Sequence, residues 1–115
     1  MRNIIIFLVL GLFACNTEQA LRKSISGTWT ITEAFRDEVQ TTMLDGAYLS
    51  FDLKEVKTNL FGSEATSPYT ISDAAIQQLN NPTIEYKILE KSPTRLILGT
   101  TYDGFEFRFI FGKTE

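Results

Sequence analysis

Reactive side chains are few in this sequence, and their types narrow the chemistry before any element is placed. Cys15 is the one thiol among 115 residues, and no histidine occurs. That excludes Cys–His and Ser–His–Asp nucleophilic sites and His/Cys zinc sites. The chain also holds no P-loop and no dinucleotide-type glycine pattern. Carboxylates are the acid–base groups that remain. Strict alternation from Trp29 and Ile31 carries Glu33 onto their face, where a buried carboxylate needs a partner or a raised pKa. Glu33 could anchor a ligand there; a bulge or a rim position, the commoner arrangement, would let it reach water. Asp37-Glu38 reads as loop acidity rather than a catalytic pair. No enzyme, metal or cofactor is expected.

The aromatic residues pose a second choice. Phe105, Phe107, Phe109 and Phe111 share a face against Glu106, Arg108 and Ile110, and Phe51 lies on a similar run. These rings could line a pocket for a small apolar ligand, or fill a core themselves. Short strands with bulky inward residues favour filling. Phe61, beside Gly62, reads as an outward loop-tip residue.

The first fourteen residues differ in kind from the rest. Arg2 precedes an apolar stretch, Ile4 to Phe13, broken by Gly11 alone. A ten-residue helix rises roughly 15 Å, about half the ~30 Å hydrocarbon core, so this stretch does not comfortably span a bilayer. It has the form of a cleaved signal peptide. Removing residues 1–14 takes Arg2 with it and leaves 10 Lys+Arg against 14 Asp+Glu, a formal charge of −4. That balance gives no footprint for nucleic acid or for an anionic membrane surface. Cys15 also has no second cysteine to pair with.

Beyond the leader, Asn16 to Arg22 is polar and reads as a short tether, reaching about 25 Å when extended. Leu21 and Ile25, four apart, allow one helical turn. From Gly27 the pattern changes to period two, the mark of half-buried strands. Trp29, Ile31 and Phe35 fall on one face; Leu49, Phe51 and Leu53, then Val56, Thr58 and Leu60, follow suit. Tyr69 and Ile71 form a short strand, Ile84, Tyr86 and Ile88 another, and Leu96 and Leu98 a third. Asp45-Gly46, Lys91-Ser92-Pro93-Thr94 and Asp103-Gly104 are turn signals. Residues 74–79 fit a strand or a short helix capped by Asp73. No repeat of 20–50 residues is evident. Seven strands, eight if 74–79 is one, with short connections, make an all-β antiparallel sheet that must curl on itself to bury its one apolar face.

Two resemblances add to this reading. Leu12-Phe13-Ala14-Cys15 resembles the bacterial lipobox. It implies cleavage before Cys15, a diacylglyceryl thioether and further acyl chains such as palmitate at that residue, and a lipoprotein held in the cell envelope on a bacterial membrane, the outer one. Ile25-Ser26-Gly27-Thr28-Trp29, followed by Tyr48-Leu49-Ser50-Phe51-Asp52, Tyr69-Thr70-Ile71 and the run Ile84 to Leu98, resembles the lipocalin-like domains of small bacterial lipoproteins. This resemblance implies a small up-and-down β-barrel over residues 25–115, with 15–24 as lipidated cysteine and tether and 74–79 as a strand. It also implies Trp29, Glu33, Phe51, Tyr86, Phe105, Phe107 and Phe109 as the lining of any ligand site, and a late Arg108 or Lys113 packed on Trp29. The partners expected are the membrane, through lipid on Cys15, and a small hydrophobic ligand. An envelope interaction or structural module with a filled core is the rival.

The anchoring has a direct test. In a bacterial host fed labelled palmitate, Cys15→Ala is expected to abolish incorporation of the label and to release the protein from membranes. Continued labelling of the variant would rule out Cys15 as the attachment point.

Overall fold

The structure, a computed structural model, describes residues 18–80 and 83–114. The stretch read as a signal peptide, residues 1–14, and Cys15 lie outside the described residues. Among those described, no helix is long and apolar enough to cross a membrane.

The described residues open with a helix, α1, over residues 18–25, and continue in nine strands: β1 (Gly27–Arg36), β2 (Val39–Thr41), β3 (Tyr48–Phe51), β4 (Glu55–Thr58), β5 (Ala65–Ile71), β6 (Ala75–Gln78), β7 (Ile84–Lys91), β8 (Arg95–Tyr102) and β9 (Phe105–Thr114). Every pairing is antiparallel, and β1 pairs with β9 from Thr28↔Thr114 to Arg36↔Phe107. That pairing closes an eight-stranded barrel. The ninth strand, β2, is a short flap that pairs with β1 at Ala34↔Thr41 to Arg36↔Val39, beyond the Gly27–Thr30 segment that pairs with β3. The expected barrel is present, and residues 74–79 contribute a strand, β6.

The two ends of the barrel are built from different turn chemistry. At the base, the β3–β4, β5–β6 and β7–β8 turns repeat one device at Asp52, Ser72 and Ser92. In each, the backbone N–H of that residue donates to the carbonyl three residues on, at 2.8–2.9 Å. Its side-chain oxygen accepts the N–H groups two and three residues on. These are side-chain-closed turns of the kind Asp and Ser favour. At the mouth, the turns instead take positive φ: Asp37 and Glu38 at 49° and 66°, Asp103 and Gly104 at 55° and 81°. Two successive positive φ values make the tight hairpin that matches strand twist.

Helix α1 closes the base. Ile25 is fully buried and Leu21 packs on the core. The Arg22 guanidinium donates to the Leu53 carbonyl (2.9 Å) and the Tyr69 carbonyl (3.2 Å) and lies over the Tyr69 ring. Residues 18–22 are therefore part of the folded domain and not a free tether. Trp29 is also fully buried, and its Nε1 donates to the Ile25 carbonyl at 2.8 Å. Lys113, not Arg108, is its cationic partner, with Nζ 4.6 Å from the ring centroid and bonded to the Ser26 carbonyl. Gly27 explains the glycine two residues before Trp29: its φ is 111°, and a Cβ there would meet Lys113 Cε at 2.8 Å.

Strict alternation fails at one place in β1. The register with β9 slips between Ile31 and Glu33, a β-bulge that gives the strand one extra residue. Beyond it, Ala34 is buried, while Glu33 and Phe35 turn to the outer wall, where the Arg108 guanidinium lies 4.3 Å from the Phe35 ring centroid. Phe35 is thus not on the Trp29 face. Leu53 leaves its expected strand as well: it sits in the β3–β4 turn, 51% exposed.

The base turns give a pH prediction. Amide N–H groups of Glu55 and Lys54 hold the Asp52 carboxyl below its ordinary 3.8. A depressed folded-state pKa stabilises above the unfolded value and loses that contribution as pH falls through the folded one. Asp52→Ser, which copies Ser72 and Ser92, should melt above Asp52→Ala at neutral pH. The gap between wild type and Asp52→Ala should shrink as pH falls below 3.8, while the Ser–Ala gap stays flat. Thermal melts followed by circular dichroism measure both, and a wild-type gap that is independent of pH would contradict the assignment.

Candidate functional site

Inside the barrel, the expected lining residues occupy the space they would enclose. Trp29, Phe51, Tyr86 and Phe109 are at most 3% exposed and belong to one core with Leu49, Val56, Tyr69, Ile76, Leu96, Leu98 and Phe111. The phenylalanines of β9 stack along the strand, with centroids 5.6 Å apart for Phe107–Phe109 and 6.0 Å for Phe109–Phe111. Phe105 leaves this column for the rim, where it is 38% exposed beneath the Arg36 guanidinium. Glu33 is on the outer wall, so it cannot serve as an interior anchor. The bulge is the cause.

A polar layer sits above the apolar core, toward the mouth. Thr58 donates to the Tyr48 carbonyl (2.7 Å), Ser67 to that of Asn80 (3.2 Å) and Thr100 to that of Glu85 (2.7 Å). The Tyr86 hydroxyl donates to Gln78 Oε1 at 2.8 Å, and burial pushes its pKa well above the ordinary 10.0. Among the described residues no buried side-chain nitrogen or oxygen lacks a partner. Nothing polar inside therefore waits for a ligand. Above this layer, Phe61 from the β4–β5 loop meets Tyr102 at the end of β8, with ring centroids 4.3 Å apart. Those two elements stand on opposite sides of the barrel, so the contact bridges the mouth. Phe61 points inward, contrary to the outward reading, because Tyr102 gives its ring an apolar partner.

The concavity lies elsewhere. The β7–β8 ladder runs from Lys91↔Leu96 only as far as Lys87↔Gly99, whereas β8 stays paired with β9 to Tyr102↔Phe105. Toward the mouth β7 and β8 part, with the Thr100–Glu85 hydrogen bond between them. A cleft of about 580 Å³ opens there. It is lined by Phe35 and Gly99 from the outer wall and by Ile84, Tyr102 and Phe107 from the inner face, and its exposed rim carries Glu38, Glu85, Asp103 and Glu106 against Lys87 and Arg108. Phe35, Arg108, Gly99 and Lys87 lie in one row across four strands, as successive cross-strand partners on the outer wall. None of the four rim carboxylates is in an ion pair among the described residues.

Of the seven predicted lining residues, only Phe107 reaches this cleft. Gly99, Tyr102 and Phe35 carried no signal for it, since their convergence depends on where two strands separate. The charged groups around the cleft are four carboxylates, Lys87 and Arg108. Among the described residues, no group of three or more His, Cys, Asp or Glu is placed to hold a metal.

No protein-family model matches the chain, and no curated protein matches it significantly. Among solved structures, the crystal structure of a lipocalin-like protein from Bacteroides uniformis superposes with a TM-score of 0.57 at 18% identity, covering 79% of this chain and 99% of that one. At that identity the likeness speaks to architecture. With its closed antiparallel eight-stranded barrel and terminal helix, the chain has a lipocalin-like fold.

Proposed function

We propose that this chain is a non-catalytic, lipid-anchored envelope protein whose lipocalin-like domain holds a small ligand in the cleft between β7 and β8, not in a deep interior cup. The observation that carries this reading is the cleft itself, about 580 Å³, beside an interior closed by its own side chains. That volume falls within the ~300–1,000 Å³ typical of small-molecule sites. Phe35 on the outer wall and the edges of Tyr102 and Phe107 along the opening suit a small apolar body, and the charged rim suits a polar edge on the same ligand. Lipid on Cys15 would hold the domain at a bacterial membrane, as the lipobox resemblance implies.

A dye titration separates this reading from an interior site and from a domain that binds no small molecule. Gly99 has an ordinary φ, and a Cβ there would meet the exposed, movable Leu89 side chain at 3.3 Å, so a larger side chain can enter the cleft without breaking the strand. Gly99→Leu, and Thr101→Phe on the same wall, should each weaken binding of a neutral solvatochromic dye by about tenfold while moving the melting temperature little. Phe109→Leu, deep in the core, should destabilise by about 1–2 kcal/mol and leave dye affinity unchanged. The opposite pattern would place the site inside the barrel. No saturable binding across several dyes would leave the domain as an interaction module with a filled core.

A further inference from the structure

The base of the barrel bears on how the domain sits at its membrane. Helix α1 is described from Glu18, which lies three residues beyond Cys15 in sequence. Three residues reach about 10 Å at most. Glu18 pairs with Arg22 at 3.2 Å, and Arg22 is fastened to the Leu53 carbonyl. The start of the helix is therefore fixed beside the β3–β4 turn. At that turn Leu53 is 51% exposed, and Lys54 and Lys23 stand exposed nearby in no ion pair among the described residues. Asp52, Glu55 and Glu18 stand exposed beside those lysines, so charge favours neither sign of surface there, and the exposed leucine suits a shallow lipid contact with its side chain at the acyl boundary.

The mouth offers the opposite surface. Val39 and Met43 are exposed there, 69% and 76%, but they stand among Asp37, Glu38 and Asp45, which an anionic surface repels. We propose that the base of the barrel rests on the phospholipid bilayer at Leu53, kept there by the short link to Cys15, so that the mouth and the cleft face away from the bilayer. This rests on the lipid anchoring of Cys15 proposed above. The arrangement leaves the cleft open to a soluble ligand or to a second protein, and closed to lipid drawn directly from the same leaflet.

The single cysteine makes the test clean. Its sulfur is consumed by the thioether, so a cysteine introduced elsewhere in the full-length lipidated protein is the sole target for a fluorophore. Leu53→Cys, Met43→Cys and Asp103→Cys would each be labelled and reconstituted into phosphatidylethanolamine/phosphatidylglycerol vesicles carrying a headgroup-depth nitroxide quencher. A ten-residue strand tilted about 40° places the mouth on the order of 25 Å above the base. The label at 53 should lose about half its intensity or more, while labels at 43 and 103 should lose less than about a tenth. Co-flotation with vesicles but quenching at 43 or 103 equal to that at 53, or none at 53, overturns the orientation alone. Failure to co-float overturns the anchoring and this proposal with it.

Discussion

Pairing β1 along its length with β9 removes the two free edges that an eight-stranded sheet would otherwise present. It also decides where every inward side chain goes. Once the sheet is closed, residues that merely shared a face converge on one axis: Trp29 from β1, Leu49 and Phe51 from β3, Tyr69 from β5, Tyr86 from β7 and Phe109 and Phe111 from β9. Strands of four residues, such as β3, β4 and β6, enclose little length, and the rings on these strands are large. The barrel interior is consumed by its own packing. Closure here produces a core and not a cup.

Because the core is solid, the ends of the barrel carry different duties. At the base, α1, Trp29 and Lys113 form one linked set: Trp29 Nε1 holds the Ile25 carbonyl, Lys113 holds the Ser26 carbonyl and covers the indole. Each contact satisfies a polar group at the junction between helix and strand, where a buried helix end would otherwise leave carbonyls unpaired. At the mouth the closure is looser, a single aromatic contact between Phe61 and Tyr102 over a layer of hydrogen-bonded polar side chains.

Much of this was legible in the residues. Alternation identified the inward positions on β3, β7, β8 and β9, because a two-residue period is imposed by the strand itself. The Asp103-Gly104 turn was visible because few residue pairs accept two positive φ values. What alternation cannot register is an extra residue. The bulge at Ile31/Glu33 shifts the phase of β1, so Glu33 and Phe35 read as interior when both are outside. Of the three like turns, the one at Ser92 was read as a turn, but its recurrence at Asp52 and Ser72 was not, since Asp-Leu-Lys-Glu, Ser-Asp-Ala-Ala and Ser-Pro-Thr-Arg share a side-chain oxygen and little else. Phe61 was misplaced because its partner, Tyr102, is distant in sequence and meets it only once the barrel is closed.

The cleft has a structural cause of the same kind. A second bulge interrupts β7 between Ile88 and Glu90, within its ladder to β8. A bulge bends its strand and increases local twist. Past it, toward the mouth, β7 keeps only two more pairs with β8, Ile88↔Leu98 and Lys87↔Gly99, and stays with β6 through Ile84↔Gln78, while β8 stays with β9. The two strands are drawn toward different neighbours, and the seam opens. Gly99 stands where they part, its missing side chain leaving room for Leu89 to lie across β8 at the edge of the opening. The concavity therefore comes from a phase slip in one strand and from the pairing preferences on either side of it, not from residues with a shared chemical character. This is why a chain with so little reactive chemistry can still present a shaped surface outside a filled barrel.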